Sequence, residues 1–215
     1  MPSITPDAPS YAERPVNPDR WELLMRHGGQ RILDVGSGNG RYVDALRAIG
    51  RDAVGVDLRP LVADAGIGAT VIAEAAALPF AAQSFDTACA FEVLEHCVNP
   101  LAVLREMQRI TRGNLVLTVP ACVQTPGMRA ANLVYGHYRD PTHRHFWTPD
   151  GFEALVASAG LRVVERHAIN GIRLGALVTE ALGWRGALAA AGARVFDRLT
   201  RSRYPMTTAI VAVGA

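Results

Sequence analysis

At residues 31–40 the chain reads RILDVGSGNG, and no other stretch restricts the fold so tightly. Ile32, Leu33 and Val35 make the short apolar run of a strand buried on both faces of a parallel sheet. Gly36, Gly38 and Gly40 follow at alternate positions, with Ser37 inside the turn; without Cβ atoms they permit positive φ and let a ligand approach bare backbone. From Arg41 the pattern becomes helical, with Val43, Leu46 and Ile49 on one face and Gly50 as the stop. A strand, a tight glycine turn and a helix N-terminus therefore succeed one another, an arrangement suited to a nucleotide-like ligand.

Spacing narrows the choice. Dinucleotide folds use G-x-G-x-x-G and phosphate loops G-x-x-x-x-G-K-[ST], whereas this turn is G-x-G-x-G with no lysine near it. The next strand, over 53–56, ends in Asp57, whose carboxylate suits the two hydroxyls of a ribose. A short strand over 70–73 precedes Glu74, and the sequence continues through ALPF to SFDTACAFEVLEH at 84–96. Further on, the pattern predicts helices over 19–27, 100–109 and 149–159 and strands over 115–119, 161–166 and 207–213. This alternation implies a parallel sheet with helices on both faces.

The glycine turn, the acid after the second strand, LPF, and the FD and VLEH elements occur in the order and at the intervals of the class I S-adenosylmethionine-dependent methyltransferases. The chain resembles the small bacterial group of that family, most specifically over residues 31–119 and more loosely to about 164. The resemblance implies a Rossmann-like, doubly wound seven-stranded α/β sheet, mostly parallel, with an antiparallel last strand beside strand five. It also implies S-adenosylmethionine as cofactor. Position by position, Asp34 falls near the ammonium of the methionine moiety, and the turn of Gly36, Ser37, Gly38 and Gly40 falls beside that moiety and the ribose. Asp57 falls on the ribose, Glu74 on the adenine amino group and the Ala75 backbone at the ring edge. Leu58 and Leu78 are apolar walls for adenine, and Glu92 stands near the methionine end. Glu95 reads as structural, and His96 as a buried, hydrogen-bonded histidine of its turn.

Ligands of open parallel sheets bind beyond the carboxyl ends of the strands, so the long segment 120–147 is expected to lie over the reactive methyl group as a substrate loop. It carries Tyr135, His137, Tyr138 and Arg139 as substrate-binding candidates, and Asp140, His143 and His145 as candidate catalytic groups. The run DPTHRHFWTP resembles the H-x-x-F-[FW]-T segment of related small-molecule enzymes, with His143 in the histidine position. Imidazole, with an ordinary pKa of about 6.5, can take a proton from a hydroxyl acceptor, and Asp140 would orient the ring. Anchoring the loop is the competing role for His143. His137, Asp140, His143 and His145 also have the chemistry of metal ligands, but no metal is expected.

The 215 residues suffice for one domain, with residues 1–30 as an arm and helix and 169–203 as a helical insert. In that insert, two amphipathic stretches with arginines on their polar sides suit core packing, a dimer surface, a lid, or contact with a membrane surface. Three cysteines without C-x-x-C spacing, and no run of membrane-spanning length or leader, place the expected protein in the cytoplasm. All 22 basic residues are arginine, and the net charge of +2 is too mild to imply a nucleic-acid partner. The expected activity is methyl transfer to a small-molecule hydroxyl by a monomer or homodimer. N-methylation and a lipid-linked or glycan acceptor stand behind it. From other classes come a nicotinamide-dependent oxidoreductase and a noncatalytic cofactor-binding protein.

Overall fold

A computed structural model describes residues 15–59, 70–123, 138, 140–173, 183, 186–200 and 203–214. Seven strands form one sheet: β1 Arg31–Val35, β2 Asp52–Asp57, β3 Thr70–Ile72, β4 Phe85–Phe91, β5 Thr111–Pro120, β6 Leu161–Arg173 and β7 Arg203–Gly214. Their order across the sheet is β3-β2-β1-β4-β5-β7-β6. β1 to β5 pair in parallel, and β7 runs antiparallel to both β5 and β6. The doubly wound sheet with a reversed last strand is therefore present as expected.

The described helices are α1 Pro18–His27, α2 Arg41–Ala48, α3 Pro100–Ile110, α4 Pro149–Ser158 and α5 Ala187–Thr200. Three of them start by one local device. Asn17, Asn99 and Thr148 each accept a hydrogen bond from a first-turn N–H, and the proline that follows is preset for helical φ and has no N–H to satisfy. α2 instead starts from Gly40 at φ +75°, which is open to glycine at little cost.

Alternation along the strands divides the core between the two sheet faces. Leu33 and Val35 pack with Phe85, Leu104, Met107 and Phe152 on one side, while Ile32 packs with Leu24, Tyr42, Leu46 and Val116 on the other. The strand order reverses direction between β1 and β4, and this switch point opens the crevice where ligands of such sheets bind.

The insert between the last two strands is shorter than its sequence pattern suggested. β6 continues to Arg173 and β7 begins at Arg203, paired as Ile169 with Thr207 and Ile172 with Tyr204. Residues 169–173 and 203, assigned to the insert, are strand, and with 204–206 they extend as a ribbon past the end of β5, whose register with β7 stops at Pro120 opposite Thr207. Pro205, which has no N–H, falls in this extension, away from the centre of the sheet. The second amphipathic stretch is α5; Ala189 and Ala193 are buried there, while Leu188 and Val195 are exposed. The first stretch, 174–182, lies outside the described residues.

Candidate active site

Two recesses open at the carboxyl ends of β1 and β4, and Arg41 borders both. The narrower is walled by Asp34, Gly36, Ser37, Tyr42 and Phe91. The wider is a cleft of about 700 Å³ bordered by Arg20, Glu92, Glu95, His96, Asp140 and His143.

The glycine turn is held by the neighbouring strand. Gly36 and Ser37 donate their N–H groups to the Val56 carbonyl at 2.7 and 3.0 Å, and Gly38 donates to Asp57 Oδ2 at 2.9 Å. Gly36 stands at φ +72°, and a Cβ there would meet Val93 Cγ2 at 2.3 Å, so this position accepts glycine for two separate reasons. Gly55 on β2 plays the complementary part, because a Cβ would meet Ser37 Oγ at 2.6 Å.

Asp34 ends up almost fully buried, with the Cys89 thiol 3.5 Å from Oδ1. Burial pushes its carboxyl up to about 7, against the opposing pull of that thiol and of Arg41 and Arg20. Asp57 is used locally as well as being a site candidate: Oδ1 accepts the Arg59 N–H at 3.1 Å while Oδ2 takes that of Gly38. Two oxygens offer about four acceptor positions, so both can still take ribose hydroxyls. Glu74 is exposed and Ala75 half-buried, directly beyond β3. Leu58 is 63% exposed, whereas Leu78 is packed into the core with its N–H on Glu106.

Glu92 occupies a left-handed conformation at φ +57°, and its N–H bonds the Thr118 carbonyl across the end of β5. Its Oε1 accepts from Arg20 at 2.8 Å and from the Thr118 hydroxyl at 3.0 Å. Arg20, buried and lying over the Phe91 ring, thus fastens α1 to the end of β4. Burial raises the Glu92 carboxyl above its ordinary value, and Arg20 opposes this.

Beyond Glu92 a single 3-10 turn, Leu94–His96, carries two groups into the cleft. The Glu95 carbonyl accepts the N–H groups of Arg144 and His145 at 2.8 and 3.2 Å, so segment 140–147 folds back onto this turn. That pairing brings the His143 ring to 4.7 Å from the His96 ring, edge to face. Asp140 Oδ2 stands 3.6 Å from His143 Nε2, and Oδ1 accepts the N–H of Thr142. The segment 140–143 is a turn rather than the helix that would also have placed Asp140 beside His143. His145 points elsewhere: Nε2 contacts the Cys97 carbonyl at 3.0 Å and the ring stacks on Trp147.

Tyr138 stacks on Phe146 at 4.9 Å, and Tyr135, His137 and Arg139 lie outside the described residues. Sequence reasoning missed the contributions of Arg20, Arg41 and Glu95 to the cleft, and His96 is partly exposed rather than buried. The signal for Glu95 was an acid in a run otherwise destined for burial. Burial and the nearby Glu92 push its carboxyl up to about 8.

A family described as a methyltransferase domain matches residues 12–166, and the chain belongs to it. It is therefore an S-adenosylmethionine-dependent methyltransferase of the class I fold. Among relatives, the ubiquinone biosynthesis O-methyltransferase of Xanthomonas euvesicatoria pv. vesicatoria (strain 85-10) is 26% identical over 175 residues, covering 74% of this chain and 73% of that protein. The protein of the same name from Xanthomonas oryzae pv. oryzae (strain PXO99A) is 29% identical over 143 residues, 62% of this chain and 60% of its own length.

Solved structures of similar fold include an S-adenosylmethionine-dependent methyltransferase from Mesorhizobium loti, with TM-score 0.64, 16% identity and coverage of 91% of this chain and 95% of that one. A methyltransferase from Haloferax volcanii in complex with the Trm112 activator has TM-score 0.65 and 19% identity, covering 90% and 88%. The [4+2]-cyclase SpnF also shares the fold, at TM-score 0.60 and 21% identity, covering 91% and 80%, so the fold alone does not fix the reaction. Among the described residues no helix is long and apolar enough to cross a membrane.

Proposed function

We propose that the enzyme transfers a methyl group to a hydroxyl of a small-molecule acceptor bound in the cleft beside Glu92 and His143. The observation that carries this reading is the set Glu95, His96, Asp140 and His143 gathered on one wall of that cleft, next to the recess of the glycine turn. The two O-methyltransferase relatives support the same acceptor chemistry.

The residues present fit the cofactor. Asp34, whose only described side-chain partner is a weak thiol donor, suits a cationic ammonium. The backbone of Gly36, Ser37, Gly38 and Gly40 would pass along the methionine and ribose portions, Asp57 would take the ribose hydroxyls, and Glu74 and Ala75 would meet the adenine edge. Glu92 would face the methionine end. When bound, the cofactor supplies a methyl group on a sulfonium and a leaving thioether that departs neutral and needs no acid.

What remains for the protein is alignment, and removal of the hydroxyl proton. Alignment of bound reactants is worth up to about 7 to 11 kcal/mol. His143, steadied by Asp140, accepts the acceptor's proton. His143→Ala should lower turnover on a panel of hydroxyl acceptors by roughly 10²- to 10⁴-fold while S-adenosylhomocysteine affinity stays unchanged. Unchanged turnover would reduce His143 to an anchor of its loop.

A further inference from the structure

Hydrogen bonds between α1 and the β6–β7 ribbon run in one direction and leave donors unused at the cleft. Asn17 Oδ1 accepts the Arg20 N–H at 3.1 Å, and because a backbone N–H can only donate, this fixes which way the amide points. Asn17 Nδ2 therefore donates to Asn170 Oδ1, which turns Asn170 Nδ2 onto the Thr207 hydroxyl at 3.0 Å. Each amide oxygen in this relay already accepts a bond. One N–H of each amide and the hydroxyl proton of Thr207 have no acceptor among the described residues. Arg20, bound to Glu92 through Nη2, has a buried Nε–H that also lacks one. All four residues border the wider cleft.

Fastening α1 to the ribbon accounts for the bonds that are made, not for the donors left over. Buried donors ordinarily have partners, and what this set lacks is an oxygen that accepts without donating. Asn170 also holds left-handed backbone at φ +55°, as does Glu92 on the same cleft, and strained backbone of this kind gathers at ligand sites. Glycine would take that conformation at less cost, so what asparagine adds here is its amide.

We propose that Asn17, Asn170, Thr207 and the Arg20 Nε–H grip a carboxylate carried by the methyl acceptor, whose hydroxyl is presented to His143. A carboxylate offers about four acceptor positions to these donors, and the guanidinium favours its charge. Val16, Pro18 and Met206 border the same cleft, and beside such apolar groups a charge-assisted bond is stronger than in water. A hydroxyl in this place would bring one more proton to a site already rich in them. The inference rests on the methyl-transfer reading and deepens it: the acceptor is a hydroxy acid, held through its acid group and methylated on its hydroxyl.

The test is titration NMR on the complex with S-adenosylhomocysteine, using matched fragments: salicylate against salicyl alcohol, and lactate against propylene glycol. The carboxylate of each pair should bind more tightly than its alcohol by on the order of 10- to 100-fold. Thr207→Val, which removes the proton, and Asn170→Asp, which puts a carboxylate where the amide N–H stood, should each erase that preference. Thr207→Ser, which keeps the hydroxyl, should behave like the wild type. S-adenosylhomocysteine affinity, measured calorimetrically on the same samples, should be retained throughout. If Thr207→Val does not melt cooperatively, Asn170→Asp carries the test, because Asn170 is only half-buried. Equal binding of acids and alcohols by the wild type, or an unchanged preference in Asn170→Asp, overturns the carboxylate site and leaves methyl transfer standing. Weakened S-adenosylhomocysteine binding in Asn170→Asp and Thr207→Val overturns it too, by assigning the donors to the cofactor's own carboxylate. A wild type that binds the acids but no S-adenosylhomocysteine would instead overturn the methyl-transfer reading.

Discussion

Replacing Asp34 with asparagine should make the ligand-free protein more stable at neutral and alkaline pH while weakening its hold on the cofactor. The side chain is nearly inaccessible, and burial moves its carboxyl from 3.8 to about 7. An unfolded chain releases this proton near 3.8, whereas the folded chain keeps it until about 7. Between those values the native state binds more protons, so stability falls as pH rises through the window and levels off above it. At roughly 1.4 kcal/mol per pH unit, the gap amounts to about 4 kcal/mol once the carboxylate is ionised. Asparagine keeps the size, stays neutral and can still accept from Cys89. Urea melts of both proteins without ligand, from pH 4 to 8.5, should therefore show a stability difference that is small at the acid end and grows to about 4 kcal/mol by neutral pH. Calorimetry with S-adenosylmethionine at pH 8 should show the opposite order, since losing a charge-assisted bond to the ammonium costs about 1.5 to 3 kcal/mol. A stability difference independent of pH would refute the argument, because it would mean that the Asp34 proton is not held more tightly in the folded state.

Other substitutions probe the surrounding framework. Arg20→Ala should destabilise by about 3 kcal/mol in urea melts, because it strands a largely buried Glu92, and adding Glu92→Gln should recover part of the loss. Gly36→Ala should cost about 1 to 2 kcal/mol from its left-handed backbone, plus the contact with Val93. Val93→Ala in that background should remove the contact and leave the backbone cost, which melting of Gly36→Ala, Val93→Ala and the double variant separates.

The parts of this molecule that were legible in its sequence are those encoded by neighbours along the chain. The strand, glycine turn and helix at residues 31–48 could be read directly, because each glycine in the turn answers a local backbone requirement. The starts of α3 at Pro100 and of α4 at Pro149 were legible for the same reason. The extension of β6 was not, since residues 169–173 become strand only through pairing with 203–207, thirty or more positions away. Glu95 and His96 were read as structural because their own turn gives them no partner of note. Their place in the cleft depends on segment 140–147 folding back onto the Glu95 carbonyl, an event that nothing in VLEH announces. Asp57 illustrates a mixed case: it stands where a ribose acid is expected, yet it also ties the glycine turn to β2.

We propose that the crevice between β1 and β4 binds S-adenosylmethionine through the glycine turn and Asp57. Calorimetric titration of the wild type and of Asp57→Ala, with S-adenosylmethionine and with NADH, tests it most directly. The wild type should bind S-adenosylmethionine one to one, Asp57→Ala should lose most of that affinity while keeping a cooperative melt, and NADH should give no heat. Equal affinity in the two proteins, or binding of NADH in place of S-adenosylmethionine, would contradict it.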